Sequence, residues 1–203
     1  MDKDSAVMLS TSGLSVGFSV CWIVFRAIPG LVGTLIGSIC GGLIAGQFMG
    51  IVINTAITKS PLKLGEMIRS MGGWVISFLC GGGSIYLVNI LINRMSSSVI
   101  LYIISFVIGC TVIGIGGKHV MQFQLSRYAE TKTNKTIEGK QSYWIWYFIF
   151  GSVCGIVLTL LLINLAARVV SGDTIKLMSI IFYGIGGAIA GAIGGRQLGK
   201  VFI

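Results

Sequence analysis

Six long stretches without a charged residue constrain this chain more than any other feature. They cover residues 5–25, 27–58, 70–93, 95–117, 141–167 and 177–195. Each contains about 19 residues or more, which is enough for an α-helix to cross the roughly 30 Å hydrocarbon core of a bilayer. Inside lipid, a helix satisfies every backbone polar group within its own segment. The sequence therefore predicts an all-α integral membrane protein with six transmembrane helices.

The composition agrees with this prediction. Only 10% of the residues are charged and 54% are hydrophobic, whereas about 25% of the residues in a soluble domain are charged. The longest charged loop, residues 126–140, is too short to form a separate domain. We predict a single membrane domain over residues 1–203. Its spans are predicted at about 7–25, 31–54, 72–93, 98–117, 143–166 and 177–195.

The basic residues predict the orientation of the chain. If the N-terminus is cytoplasmic, 11 of the 15 Lys and Arg residues lie on the cytoplasmic side. The other four are Arg26, Arg94, Arg168 and Lys176. This bias follows the positive-inside rule and places both termini in the cytoplasm. We predict a protein of the cytoplasmic (inner) membrane or of an equivalent internal membrane. Its predicted partner is the lipid bilayer, and we predict that it binds no nucleic acid.

Short links divide the spans into three antiparallel hairpins. The links at 26–30, 94–98 and 168–176 leave no room for a crossing segment, so consecutive spans become neighbours. The even spans each end in a pair of small residues followed by a polar one, at 45–47, 116–118 and 194–196. We interpret this similarity as an internal repeat of three hairpins. Chance similarity among glycine-rich spans is the alternative.

Small residues recur every four positions in the second and sixth spans, in two adjacent rows. An interior glycine costs a water-soluble helix about 1 kcal/mol relative to alanine, but in a membrane small residues let neighbouring helices approach closely. The predicted glycine-zipper interface consists of Gly33, Gly37, Gly41, Gly42, Gly46 and Gly50, together with Gly187, Gly191, Gly195 and Gly199. Either both rows pack within one chain, or one row packs inside while the adjacent row meets a second subunit.

Groups that carry chemistry are scarce in the predicted spans. No Asp or Glu lies inside a span, the chain has one His, and its five Cys residues form no C-x-x-C pair. A proton relay needs ionisable groups at membrane depth, and a catalytic site needs a nucleophile beside a base. We therefore predict no catalytic residue, no metal and no cofactor. A lipid-acting enzyme remains as the alternative for catalysis, and the cysteines are predicted to be small buried residues.

A few polar residues remain as candidate contacts. Lys118, His119 and Arg196 follow glycine pairs at the cytoplasmic ends of spans four and six. They are candidate contacts for an anionic headgroup or ligand, and the alternative is that they extend to the aqueous interface. Four asparagines are expected to form hydrogen bonds between helices, with a polar pore lining as the alternative. They are Asn89 and Asn93 in span three, Asn164 in span five and Asn54 in span two.

Abundant packing motifs and scarce chemical groups together favour a non-catalytic polytopic membrane protein. The predicted role is that of a structural or assembly subunit that packs against itself as a homo-oligomer, or against a larger membrane complex. The alternative is a small-solute channel or facilitator, with a pathway between the three related hairpins.

Overall fold

The computed structural model describes residues 3–57, 64–95, 99–126 and 144–202. Within these residues no strand occurs, and six helices are long and apolar enough to cross a membrane. They are α1 (Lys3–Ala27), α2 (Leu31–Val52), α3 (Leu64–Met95), α4 (Val99–Ser126), α5 (Trp144–Ala166) and α6 (Asp173–Phe202). The predicted all-helical architecture is confirmed for the described residues, as is the prediction of six helices long and apolar enough to cross a membrane.

The helices extend beyond the spans that hydropathy marks. Helix α3 begins at Leu64 rather than at 72, and α4 continues to Ser126 rather than ending at 117. Hydropathy identifies only the apolar core, whereas backbone hydrogen bonds continue through the interface, where long polar side chains reach water. Lys118 and His119 therefore lie within α4. Helix α2 is followed by a π-helical turn, Ile53–Ile57.

Each helix packs against the next one in the chain, and α6 packs against α1, so that the six helices form a ring. The contact between α1 and α6 is the most extensive of these, and the contact between α4 and α5 is the sparsest. One end of the ring holds Lys3 and Phe202 and is called the terminal end below. The other end holds the links at 28–30 and 167–172 and is called the distal end.

Large aromatic side chains fill the centre of the ring. Phe18 and Trp22 of α1, Phe78 of α3 and Phe106 of α4 are each at most 2% exposed. The rings of Trp22 and Phe106 lie 4.9 Å apart and those of Phe18 and Phe78 lie 5.1 Å apart, both edge to face, an arrangement that aromatic quadrupoles favour. The first contact joins α1 to α4 on the opposite side of the ring, and the second joins α1 to α3. Aromatic side chains therefore fill the interior of the ring.

Candidate functional site

The glycines of α2 lie at two interfaces within the chain. Gly33, Gly37 and Gly41 face α1 and the short link after it, and a β-carbon added at Gly41 would lie 2.6 Å from the carbonyl oxygen of Gly17. The adjacent row, Gly42, Gly46 and Gly50, faces α3. A β-carbon at Gly42 would lie 2.5 Å from the Cα of Val75, whereas ordinary contacts begin at 3.4 Å. Neighbouring backbone therefore occupies the space that side chains would need.

The glycines of α6 are placed in the same way. Gly187, Gly191, Gly195 and Gly199 all face α1. A β-carbon would lie 2.6 Å from the carbonyl oxygen of Phe18 at Gly187, and 2.7 Å from that of Ser10 at Gly195. The adjacent Gly186 and Gly194 face α5. Both rows of each glycine-rich helix thus contact neighbours in the same chain, and α1 lies between the two helices.

Reciprocal glycine pairs occur between α1 and α2, between α3 and α4, and between α5 and α6. In such a pair, a β-carbon on either glycine would meet the carbonyl oxygen of the other. The pairs are Gly17 with Gly41, Gly81 with Gly109, and Gly155 with Gly186. The second pair could not be found from the four-residue rows, because α3 and α4 carry no long row of small residues.

Two buried serines differ in whether they join helices. Ser10 Oγ of α1 lies 3.0 Å from the carbonyl oxygen of Gly195 in α6 and 2.9 Å from that of Val7 in its own helix, so these two acceptors share its single proton. Ser70 of α3 is equally buried, and its hydroxyl has no hydrogen-bond partner within the described residues.

Replacing each of these serines with alanine should therefore change the free energy of unfolding differently. Ser10→Ala should lower the free energy of unfolding by about 0.6 to 1.7 kcal/mol, the range for hydrogen bonds between membrane helices. Ser70→Ala should leave it unchanged or raise it, because an unsatisfied buried hydroxyl is removed. Unfolding titrations in mixed micelles measure both values. Equal losses in the two variants would contradict the assigned hydrogen bond.

The predicted basic contacts do not converge on one site. Lys118 is half-buried in α4 and His119 is exposed beside it. Arg196 and Lys200 of α6 line an open groove of about 570 Å³ at the terminal end, together with Asp4 of α1. Lys118 and His119 do not line this groove. Binding of an anionic ligand by these residues stays a prediction.

A small cavity at the terminal end, with several polar residues in its wall, was missed by sequence reasoning. It encloses about 30 Å³ and lies between the π-helical turn, α3 and α4, with Asn54, Glu66, Arg69 and Gln124 in its wall. The buried oxygens Glu66 Oε2 and Gln124 Oε1 have no hydrogen-bond partner among the residues that the structure describes. Glu66 and Gln124 lie outside the predicted spans, so hydropathy gave no reason to place them together.

A larger cavity, of about 400 Å³, opens at the distal end. Its wall consists of Phe25, Arg26, Pro29, Gly30, Tyr86, Asn89, Ile90 and Tyr102. Arg26 Nε donates a hydrogen bond to Ser179 Oγ at 2.9 Å, and Arg26 Cζ lies 5.9 Å from the centre of the Tyr183 ring. Asn89 Oδ1 accepts a hydrogen bond from Ser105 Oγ at 3.0 Å, and the same hydroxyl proton is shared with the carbonyl oxygen of Tyr102 at 2.8 Å. The bond between helices predicted for Asn89 is therefore confirmed, whereas Arg26 entered the sequence argument only through orientation.

The cysteines follow the prediction only in part. Cys21 and Cys110 are buried, Cys40 and Cys154 are partly buried, and Cys80 is exposed on the outside of α3. The prediction of burial is wrong for Cys80, because composition does not show which face of a helix points to lipid.

The described residues form six helices long and apolar enough to cross a membrane, which is compatible with a multi-pass membrane protein. Comparisons with known protein families, with characterised proteins and with solved structures find no match to this chain. Its function is therefore inferred from the positions of its helices, glycines and cavities.

Proposed function

We propose that the protein is a non-catalytic structural or assembly subunit of a membrane complex. The small, exposed residues on the outer face of α3 carry this proposal, and the close approach of backbone to the glycine rows of α2 and α6 supports a structural role. Small residues that admit neighbouring backbones give tight van der Waals packing, which is a main source of helix association in lipid. The rows are used within the chain, so the bundle is a compact unit that meets its partners through its outer surface.

The finer architecture belongs to the same proposal. We assign the six helices to three antiparallel hairpins derived from one repeated unit, each with a reciprocal glycine pair at its centre. The excess of basic residues on one side supports a cytoplasmic location for both termini.

The filled centre favours a subunit over a small-solute channel. Phe18, Trp22 and Phe106 are almost completely buried in the middle of the ring. A pathway along the ring axis would require these side chains to move out of a close-packed core. Solute flux into liposomes that contain the purified protein would support the channel instead.

The outer face of α3 is the surface we assign to the partner. Gly72, Ile76, Cys80 and Gly83 follow one another at spacings of three or four residues and so share one face of the helix. A β-carbon at Gly72 or Gly83 would meet nothing within 4 Å, and Ile76 and Cys80 are exposed. These four residues, called the α3 strip, form a shallow apolar surface. An apolar transmembrane helix fits such a surface, because small residues allow its backbone to come close.

The α3 strip predicts a variant that loses the partner and keeps the fold. Gly72→Leu places a large side chain where the partner helix would lie, and within the described residues no atom lies within 4 Å of an added β-carbon. We expect blue-native electrophoresis of gently solubilised membranes to show a complex for the original protein and a smaller species for Gly72→Leu. The thermal unfolding temperature of the purified chain should stay the same.

The control for this experiment is Val157→Leu on α5, which enlarges a lipid-facing side chain away from the strip. It should leave the complex intact. A complex of the same size in Gly72→Leu and in the original protein, or a purely monomeric original protein, would contradict the proposal.

A further inference from the structure

The wall of the distal cavity presents hydrogen-bond donors. The guanidinium of Arg26 carries five N–H groups, and one of them is used by Ser179. No carboxylate oxygen within the described residues lies within 4.0 Å of it. Asn89 uses its carbonyl oxygen for Ser105, which leaves its NH₂ group available to the cavity. The hydroxyl of Tyr86 is a further potential donor in the same wall.

The described wall of the cavity carries one formal charge. None of the described residues in the wall is Asp or Glu, and Arg26 is a permanent cation. Gly30, in the same wall, is the N-cap of α2, and no side chain caps that helix. The N-terminal end of a long helix carries a partial positive charge and free N–H groups. The cavity also borders the last turn of α1, whose partial charge is negative. An anion in the cavity would therefore gain chiefly from the guanidinium of Arg26.

Neighbouring side chains hold the guanidinium of Arg26 in place. Ser179 is 2% exposed, and its hydroxyl donates to the carbonyl oxygen of Lys176, so a lone pair is directed to Arg26 Nε. The ring of Tyr183 lies under the guanidinium, a contact that attracts a cation. Arg26 is exposed and so accessible to a ligand, and these two contacts restrict the orientation of its guanidinium, which lowers the entropic cost of binding.

The remaining wall is apolar. Phe25, Ile90 and the ring of Tyr102 line the cavity, and the hydroxyls of Tyr102 and Tyr183 form a hydrogen bond with each other. Phe106 packs against both tyrosine rings. The volume of about 400 Å³ lies within the range of small-molecule sites, about 300 to 1,000 Å³. The cavity therefore suits a ligand with an anionic head and an apolar part.

We propose that the distal cavity binds a phosphate-bearing ligand. Its oxygens would accept hydrogen bonds from Arg26, Asn89 and Tyr86, and its apolar part would lie against Phe25 and Ile90. The forked geometry of arginine matches phosphate, which offers several acceptor oxygens to converging donors. The phosphate belongs either to the headgroup of a phospholipid from the adjacent leaflet or to a water-soluble phosphate ester. This site is separate from the α3 strip, so either proposal can fail without the other.

Native mass spectrometry of the whole chain in a non-ionic detergent tests the site. Phosphatidic acid should bind at one copy per chain, and diacylglycerol, which lacks only the phosphate, should bind at least about tenfold more weakly, as expected for charge-assisted hydrogen bonds. The affinity for glycerol 3-phosphate, measured by thermal shift, distinguishes a phospholipid headgroup from a water-soluble phosphate ester. Binding as tight as that of phosphatidic acid would assign the site to a soluble ester, and weaker binding would assign it to a lipid.

Two variants decide whether Arg26 and Tyr86 form the site. Arg26→Gln should weaken phosphatidic acid binding by about tenfold or more, whereas Arg168→Gln should not, although it removes the same charge from the distal end. Tyr86→Phe keeps the ring and should weaken binding about threefold. Equal binding of phosphatidic acid and diacylglycerol would overturn the proposal, as would original affinity in Tyr86→Phe and in a folded Arg26→Gln. If Arg26→Gln does not fold, the affinity of Tyr86→Phe decides alone.

Discussion

Gly187→Ala is expected to separate α1 from α6 and to remove much of the stability of the bundle. The added β-carbon would lie 2.6 Å from the carbonyl oxygen of Phe18, 2.9 Å from its carbonyl carbon and 3.1 Å from the Cα of Ser19. All three are backbone atoms and cannot rotate away, so a whole helix must shift. Overpacking of this kind costs about 3 kcal/mol, and the shift also weakens the contacts of Gly191 and Gly195 in the same row.

The matched control is Gly72→Ala on the α3 strip. A β-carbon there meets nothing within 4 Å, and alanine is a better helix former than glycine by about 1 kcal/mol in water. Unfolding of both variants in mixed micelles should give a large loss for Gly187→Ala and no loss for Gly72→Ala. Equal stability of the two variants would contradict the close approach of α1 and α6.

Phe106→Ala is expected to have the second largest effect. Phe106 is 1% exposed, and its ring lies 4.9 Å from that of Trp22, 5.1 Å from Tyr102, 5.9 Å from Phe25 and 6.1 Å from Tyr183. The substitution leaves a cavity where three helices meet. We expect a loss of about 3 kcal/mol, the lower end of the range for core phenylalanines, because the bilayer is itself apolar and mainly the packing is lost.

Phe150→Ala is the control for the aromatic core. Phe150 is 60% exposed on the outer face of α5, so its removal exchanges contacts with lipid and leaves the core unchanged. The substitution should change the free energy of unfolding by no more than about 0.5 kcal/mol, as at other surface positions. Similar unfolding free energies for Phe106→Ala and Phe150→Ala would show that the aromatic core does not hold the ring together.

The sequence predicted the helices well because the hydropathy and the backbone hydrogen bonds of a membrane span depend only on the residues of that span. A run without charges, such as residues 70–93, already decides that its backbone is helical in lipid. Four-residue spacing similarly shows that Gly187 and Gly191 share a face of α6. It does not show which helix meets that face. Only the closure of the ring brings α1 to the glycine row of α6.

The distal cavity was beyond sequence reasoning for the same reason. Arg26, Asn89 and Tyr102 come from three different helices and share no motif or periodicity. Periodic patterns show which residues share a face of one helix. A cavity depends instead on which helices meet and on how far each is shifted along the ring axis. Gln124 was missed because α4 continues past the charged residue Lys118, where hydropathy places the end of the span.

Photo-crosslinking from α3 in native membranes tests the central claim most directly, that the α3 strip receives a partner helix. A diazirine side chain of leucine size at Ile76 would lie on the strip, and the same side chain at Ile181 of α6 would lie on another lipid-facing surface. The two positions are similarly exposed, at 63% and 53%. We predict a protein adduct from position 76, with a mass that identifies a second copy or another subunit, and only lipid adducts from position 181. Only lipid adducts from position 76 would contradict the claim.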